Sequence, residues 1–271
     1  MPVFQTGDIK LYYELHGSGS ETIIFMNGVM MSTESWAFQT PVFEKKYRVL
    51  LSDFRGQGQS SKPDEPYDFE THCKELKALL DHLEIDNAHF VGTSYGAEVS
   101  MWFALLYPKI VNSLSLTGAV SESNFLLKSK IESWCIAARH AIDHNEKRDF
   151  LLISAPFNYS SNFLEHNPEF LEEKAQLVSE LPRSWFKAFI RLCDCFKTLN
   201  ITDRLSELTM PVLVVAAEHD VLKTVRFSAI MKNHIPHAES LIIMDAGHAL
   251  VIEKADEFNT AVMGFIDKHS M

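Results

Sequence analysis

Three residues far apart in the chain, Ser94, Asp220 and His248, carry the side-chain types that nucleophilic acyl transfer needs. A serine hydroxyl is a weak nucleophile until a neutral imidazole takes its proton. Imidazole, titrating at about 6.5, is available in both proton states near neutrality. A carboxylate on the other ring nitrogen fixes the tautomer and stabilises the imidazolium that forms. The surroundings of Ser94 sharpen this reading. In Gly92-Thr93-Ser94-Tyr95-Gly96 the serine stands between an apolar stretch at 88–91 and a helix-forming stretch that starts near Ala97. That is the pattern of a nucleophile elbow, a strand-to-helix turn so tight that the positions two before and two after the serine must lack side chains. Asp220 closes an apolar stretch at 211–217, and His248 follows another at 240–244. Each of the three is therefore expected on a loop just past a strand. Glu218, two residues before Asp220, is a rival for the role of acid.

The elements that must hold these groups can be read from periodicity. Residues 10–15 alternate apolar and polar, while 22–26, 47–52 and 111–116 are short apolar runs of the kind buried parallel strands show. Helical stretches fall near 34–44, 70–83 and 97–107, the last stopped by Pro108. Strand–helix alternation of this kind predicts an α/β fold with a mostly parallel central sheet flanked by helices. Residues 121–209 differ, with helical periodicity over 125–144, 169–181 and 184–199 and no convincing strand. The sheet pattern returns at Pro211 and ends in a helix over about 255–268. The expected organisation is a core of residues 1–120 and 210–271, with 121–209 as a helical cap inserted between the sixth and seventh strands, over the active site.

By these residues the chain resembles the α/β-hydrolase superfamily, over nearly all its length except the cap. The order Ser…Asp…His is the order that superfamily uses. Asp53-Phe54-Arg55-Gly56-Gln57-Gly58-Gln59-Ser60 resembles its D-x-R-G-x-G-x-S turn, Gly247-His248 its G-H pair, and Met26-Asn27-Gly28-Val29-Met30 its H-G-x oxyanion loop, with Asn27 in the place of the usual histidine. Within the superfamily the chain is similar to small capped esterases, including the enol-lactonase, haloperoxidase-like and carboxylesterase branches. The resemblance puts the acid at the end of an E-x-D string, hence Asp220. It also implies an oxyanion hole from the backbone N–H groups of Val29 and Tyr95, the latter at a helix N-terminus, and substrate contacts at Asn27 and Met30. The activity implied is hydrolysis of a carboxylic ester, lactone or thioester through an acyl-enzyme on Ser94. A carbon–carbon bond hydrolase and a triad-bearing small-molecule receptor with little turnover stand as alternatives. An aspartate nucleophile, as dehalogenases and epoxide hydrolases need, is absent at position 94.

The remaining composition narrows partners. A net charge of −11 on 271 residues lacks the basic footprint of nucleic-acid binding, and the longest apolar runs are strand-sized, so no membrane span is expected. Four cysteines at 73, 135, 193 and 195 have neither disulfide-framework nor zinc spacing, and no secretory leader pattern opens the chain; both point to the cytoplasm. Cys193 and Cys195 would point to different faces of one helix. Neither a cofactor nor a metal is expected: there is no phosphate-binding glycine loop, and His140 and His144 lack a third ligand at useful spacing. Asp53 and Arg55 are expected to organise a turn, and Glu98, four residues past the nucleophile, to be a buried, satisfied carboxylate. Arg183, Lys187 and Arg191 repeat every four residues in a cap that carries 11 Lys+Arg against 13 Asp+Glu. This stripe is a candidate landing site for an acyl group borne on an acidic carrier protein, set against the plainer expectation of a solvated helix face.

Overall fold

In the computed structural model, which describes residues 2–270, eight strands form one sheet in the order β1-β2-β4-β3-β5-β6-β7-β8. They are β1 (Val3–Thr6), β2 (Ile9–His16), β3 (Thr22–Met26), β4 (Arg48–Ser52), β5 (Ala88–Thr93), β6 (Val111–Thr117), β7 (Val212–Ala217) and β8 (Glu239–Ile243). β1 and β2 pair antiparallel, as do β2 and β4, and every later pairing is parallel. Residues of β3, β5 and β7 are buried throughout, which is why β3 and β7 read as near-continuous apolar runs rather than alternations.

The pleat divides those runs between two cores. Ile24 and Met26 belong to one hydrophobic cluster with Phe90, Leu114 and Val214; Ile23 and Phe25 belong to the other with Val49, Val91 and Val215. Helices cover both faces. They are α1 (Thr40–Phe43), α2 (Phe69–His82), α3 (Tyr95–Leu106), α4 (Phe125–His144), α5 (Lys147–Asn158), α6 (Ser161–His166), α7 (Phe170–Glu180), α8 (Arg183–Lys197), α9 (Val225–His234), α10 (Leu250–Glu253) and α11 (Ala255–His269). Phe258, Val262 and Phe265 of α11 complete the second core, and Leu76, Leu80, Val99 and Phe103 of α2 and α3 the first.

The five helices α4–α8 lie between β6 and β7, which are themselves neighbours in the sheet. The two ends of this insertion are tied together by an antiparallel bridge between Glu122 and Asn200, with Ser123 N–H donating to Leu199 O and Ile201 N–H to Ser121 O. Inside it α4 packs on α8 through Trp134, Cys135, Phe186 and Phe189. Phe150 of α5 stands edge-on to Phe186 and Phe189, centroids 5.5 and 4.9 Å away. The expected single helix over 34–44 is instead two short pieces, a 3-10 turn at Thr33–Trp36 and then α1. Pro41 in the first turn of α1 accounts for the break, since proline is favoured where a helix starts and would cost a hydrogen bond inside a continuous one. Among the described residues no helix is long and apolar enough to cross a membrane.

Candidate active site

The end of β5 and the start of α3 place Ser94. Its backbone has φ 51° and ψ −119°, a conformation that costs free energy in a residue with a side chain and is held here by its surroundings. A Cβ on Gly96 would lie 2.0 Å from the Met26 carbonyl oxygen, and one on Gly92 2.6 Å from the Ala97 Cα. Both contacts are with backbone and cannot be relieved by a side-chain rotation, so glycine is required at each. The result is a serine projecting from the sheet edge at the N-terminus of α3.

Loops after β7 and β8 bring the other two groups to it. His248 Nε2 is 2.9 Å from Ser94 Oγ, and His248 Nδ1 is 2.6 Å from Asp220 Oδ2. With Nδ1–H donating to the carboxylate, Nε2 is left to accept from the serine hydroxyl. Asp220 Oδ1 accepts the N–H groups of Leu222 and Lys223 at 2.8 and 2.7 Å. Burial pushes the Asp220 carboxyl up, but the His248 imidazole and these two N–H groups outweigh it and hold the carboxyl below its usual range. Gly118, at φ +51°, lets the imidazole lie against the end of β6: a Cβ there would stand 3.1 Å from His248 Cε1. Glu253 fastens the histidine loop to the helical insertion, accepting from Gly247 N–H at 3.0 Å and from the Ser160 hydroxyl at 2.6 Å. Glu218, the rival acid, is exposed and faces away, accepting the Asp245 N–H.

A cavity opens beside Ser94, lined also by Val29, Tyr95, Ile131, Trp134 and Phe196. Val29 and Tyr95 thus stand at the same cavity as the serine hydroxyl. Tyr95 is the first residue of α3, so its N–H has no partner inside the helix and lies at the positive end of the helix dipole. Neither Asn27 nor Met30, where substrate contacts were expected, is among the residues that line this cavity. Met30 packs against the first core and does not line the cavity. Asn27 is fully buried and fully engaged: its Oδ1 accepts the Trp36 indole N–H at 2.8 Å, and its Nδ2 donates to Ser52 O at 3.0 Å. The asparagine therefore braces the loop that carries Gly28 and Val29 from behind. Asn27→Ala should leave the buried Trp36 N–H unpaired, at a cost of about 1–3 kcal/mol. The thermal midpoint should fall by several degrees, given roughly 2–4 °C per kcal/mol at this size. An unchanged midpoint in a calorimetric scan contradicts the bracing role.

Gln57, which had no role in the sequence reading, shares that work. It is buried, and its Nε2 donates to Gly28 O at 2.8 Å, directly behind Val29. Asp53 accepts the N–H groups of Thr33 and Gln59, and Arg55 is paired with the Glu75 carboxylate, so both organise turns. Cys193 meets Cys135 across α4 and α8, whereas Cys195 meets Tyr95, on a different face. Glu98 is buried and paired with Lys223. Arg191 is paired with Asp64, which leaves Arg183 and Lys187 as the exposed members of the basic stripe. The turn into α5 brings Glu146 and Asp149 to His140, neighbours hidden from the helical spacing of His140 and His144; all three are exposed.

The chain is similar to known proteins over nearly its whole length. Over 269 residues the chain is 27% identical to 3-oxoadipate enol-lactonase 2 of Acinetobacter baylyi, covering 97% of each chain. The crystal structure of MGS-M2, an alpha/beta hydrolase enzyme from a Medee basin deep-sea metagenome library, superposes with a TM-score of 0.94 at 30% identity, over 98% of this chain and 97% of that one. Est816, described as an N-acyl homoserine lactone degrading enzyme, matches with a TM-score of 0.81 at 29% identity, over 97% and 100%. Residues 21–255 match the family model described as the alpha/beta hydrolase fold, and the chain belongs to that family.

Proposed function

We propose that the protein is a serine hydrolase that cleaves a carboxylic ester or lactone, with Ser94 as nucleophile, His248 as general base and then acid, and Asp220 as the group that orients His248. The observation that carries this reading is the unbroken chain of contacts from Ser94 Oγ through His248 to the buried Asp220, at 2.9 and 2.6 Å. Ser94 Oγ attacks the carbonyl carbon as its proton passes to Nε2. The tetrahedral oxygen takes up hydrogen bonds from the N–H groups of Tyr95 and Val29. Collapse expels the alkoxide, which leaves with the proton from Nε2, and water repeats the sequence on the acyl-enzyme.

The helical insertion serves as a cap, since α4 and α8 supply Ile131, Trp134 and Phe196 to the cavity wall. Four unbridged, buried cysteines support a reducing, cytoplasmic setting. A carrier-borne acyl group has less support, because Arg191 is held by Asp64.

A panel of short p-nitrophenyl esters, γ-lactones and acyl thioesters tests the reading. Esters and lactones should turn over, and the esters should release their alcohol in a burst at high enzyme concentration where deacylation is the slower step, whereas a lactone keeps its alcohol tethered to the acyl-enzyme and shows none. Failure to hydrolyse any member of the panel contradicts it.

A further inference from the structure

Lys223 is the one cation among the residues lining the cavity beside Ser94. Its Nζ lies 2.8 Å from each carboxylate oxygen of Glu98 and 4.8 Å from the centre of the Phe196 ring. Two of its three N–H bonds therefore serve the carboxylate, and the third has the aromatic face as its neighbour. Glu98 is fully buried, Lys223 is 3% exposed, and Glu98 Oε1 also accepts the Val120 N–H at 3.0 Å. The pair cannot shift without disturbing the triad. Glu98 lies one helical turn beyond Ser94, and the Lys223 backbone N–H is one of the donors to Asp220.

The remaining side walls, formed by Ile131, Trp134, Phe196 and Leu222, are apolar, so charge is poorly screened there. An unpaired lysine in such a pocket would be a receptor for a carboxylate. Here the ammonium is already answered. A carboxylate on the substrate would lose its hydration, find no free N–H on Lys223, and bring a second negative charge beside Glu98.

We propose that the Glu98–Lys223 pair makes this pocket specific for an uncharged acyl or lactone group, and that Glu98 is the residue that excludes substrates ending in a carboxylate. The proposal rests on the serine-hydrolase reading, and its test is arranged so that the two can fail separately.

The test compares kcat/KM for a p-nitrophenyl alkanoate and for the matching half-ester of a dicarboxylic acid of equal chain length, at mildly acidic pH. The wild type should prefer the neutral ester by ~100-fold, the scale of an unfavourable like-charge juxtaposition. Glu98→Gln exposes the ammonium and should move the ratio toward the half-ester by about tenfold or more, mainly through KM. Glu98→Leu/Lys223→Met removes both charges and leaves desolvation as the only penalty on the carboxylate, so the preference for the neutral ester should persist but shrink. A general loss of activity lowers both rates and leaves the ratio alone. A wild-type ratio near unity overturns the proposal, as does an unchanged ratio in folded Glu98→Gln. If Glu98→Gln does not fold, the wild-type ratio decides the matter. Calorimetric binding of the corresponding unreactive amides to Ser94→Ala reads the same preference without turnover. If the wild type hydrolyses neither ester while the neutral amide still binds more tightly, the hydrolase reading fails and the pocket assignment stands. Equal binding of the two amides overturns the pocket assignment.

Discussion

Replacing Ser94 with alanine is expected to lower kcat for ester hydrolysis by about 10⁶-fold, the size of loss seen when the nucleophile of a serine protease triad is removed. The substitution deletes one oxygen at a position where the backbone is already fixed by Gly92 and Gly96, so the fold should remain. The oxyanion donors and the cavity are left in place, and the neutral substrate should still bind. A fall in kcat with KM nearly unchanged is therefore the expected pattern, measured on pure protein with the thermal midpoint as control. Retention of a tenth or more of the activity would mean that another group attacks the carbonyl.

Asp220→Asn should cost about 10⁴ in kcat, because an amide can hold the imidazole in the wrong tautomer and cannot balance the imidazolium charge. Glu218→Gln, two residues away on the exposed side of the same loop, should change kcat little. The pH dependence has a definite sign. His248 must be neutral to act as base, so activity falls as the medium becomes acidic enough to protonate it. Asp220, held below the ordinary carboxylate range, stays ionised across that limb. A group with a depressed folded-state pKa stabilises the fold above its unfolded value, and that contribution is lost as pH falls through the folded value. The stability that Asp220 contributes should thus be lost only as pH falls through its lowered folded value, which a series of thermal midpoints against pH checks. If Glu218→Gln is the crippled variant, the acid has been misassigned.

The parts of this site legible in the sequence were those whose geometry is made by neighbouring residues. Gly92 and Gly96 reveal the elbow because the turn itself forbids side chains there, and Asp220 and His248 betray themselves by following buried strands. The central strands were visible because burial on both faces leaves unbroken apolar runs. What could not be read depends on partners distant along the chain. Glu98 and Lys223 are 125 residues apart, and nothing local marks one as the partner of the other. Asn27 was expected at the substrate because it follows the strand where the oxyanion loop begins, yet Trp36 and Ser52 turn its side chain inward. Gln57 occupies a variable position of its turn motif, and its hold on Gly28 exists only once β3 and β4 are paired. The cavity walls come from α4 and α8, whose apolar faces look alike in sequence whether they meet a core or a substrate.

Covalent labelling of Ser94 tests the central claim most directly. A fluorophosphonate probe reacts with a serine only where a base activates it and oxyanion donors stabilise the adduct, so it reports the nucleophile without requiring the natural substrate. Intact-mass measurement should show one adduct per chain, and peptide mapping should place it on Ser94. Ser94→Ala should take up no label, and Asp220→Asn should label much more slowly. An adduct mapped to any other residue, or labelling of Ser94→Ala at an undiminished rate, would contradict the account.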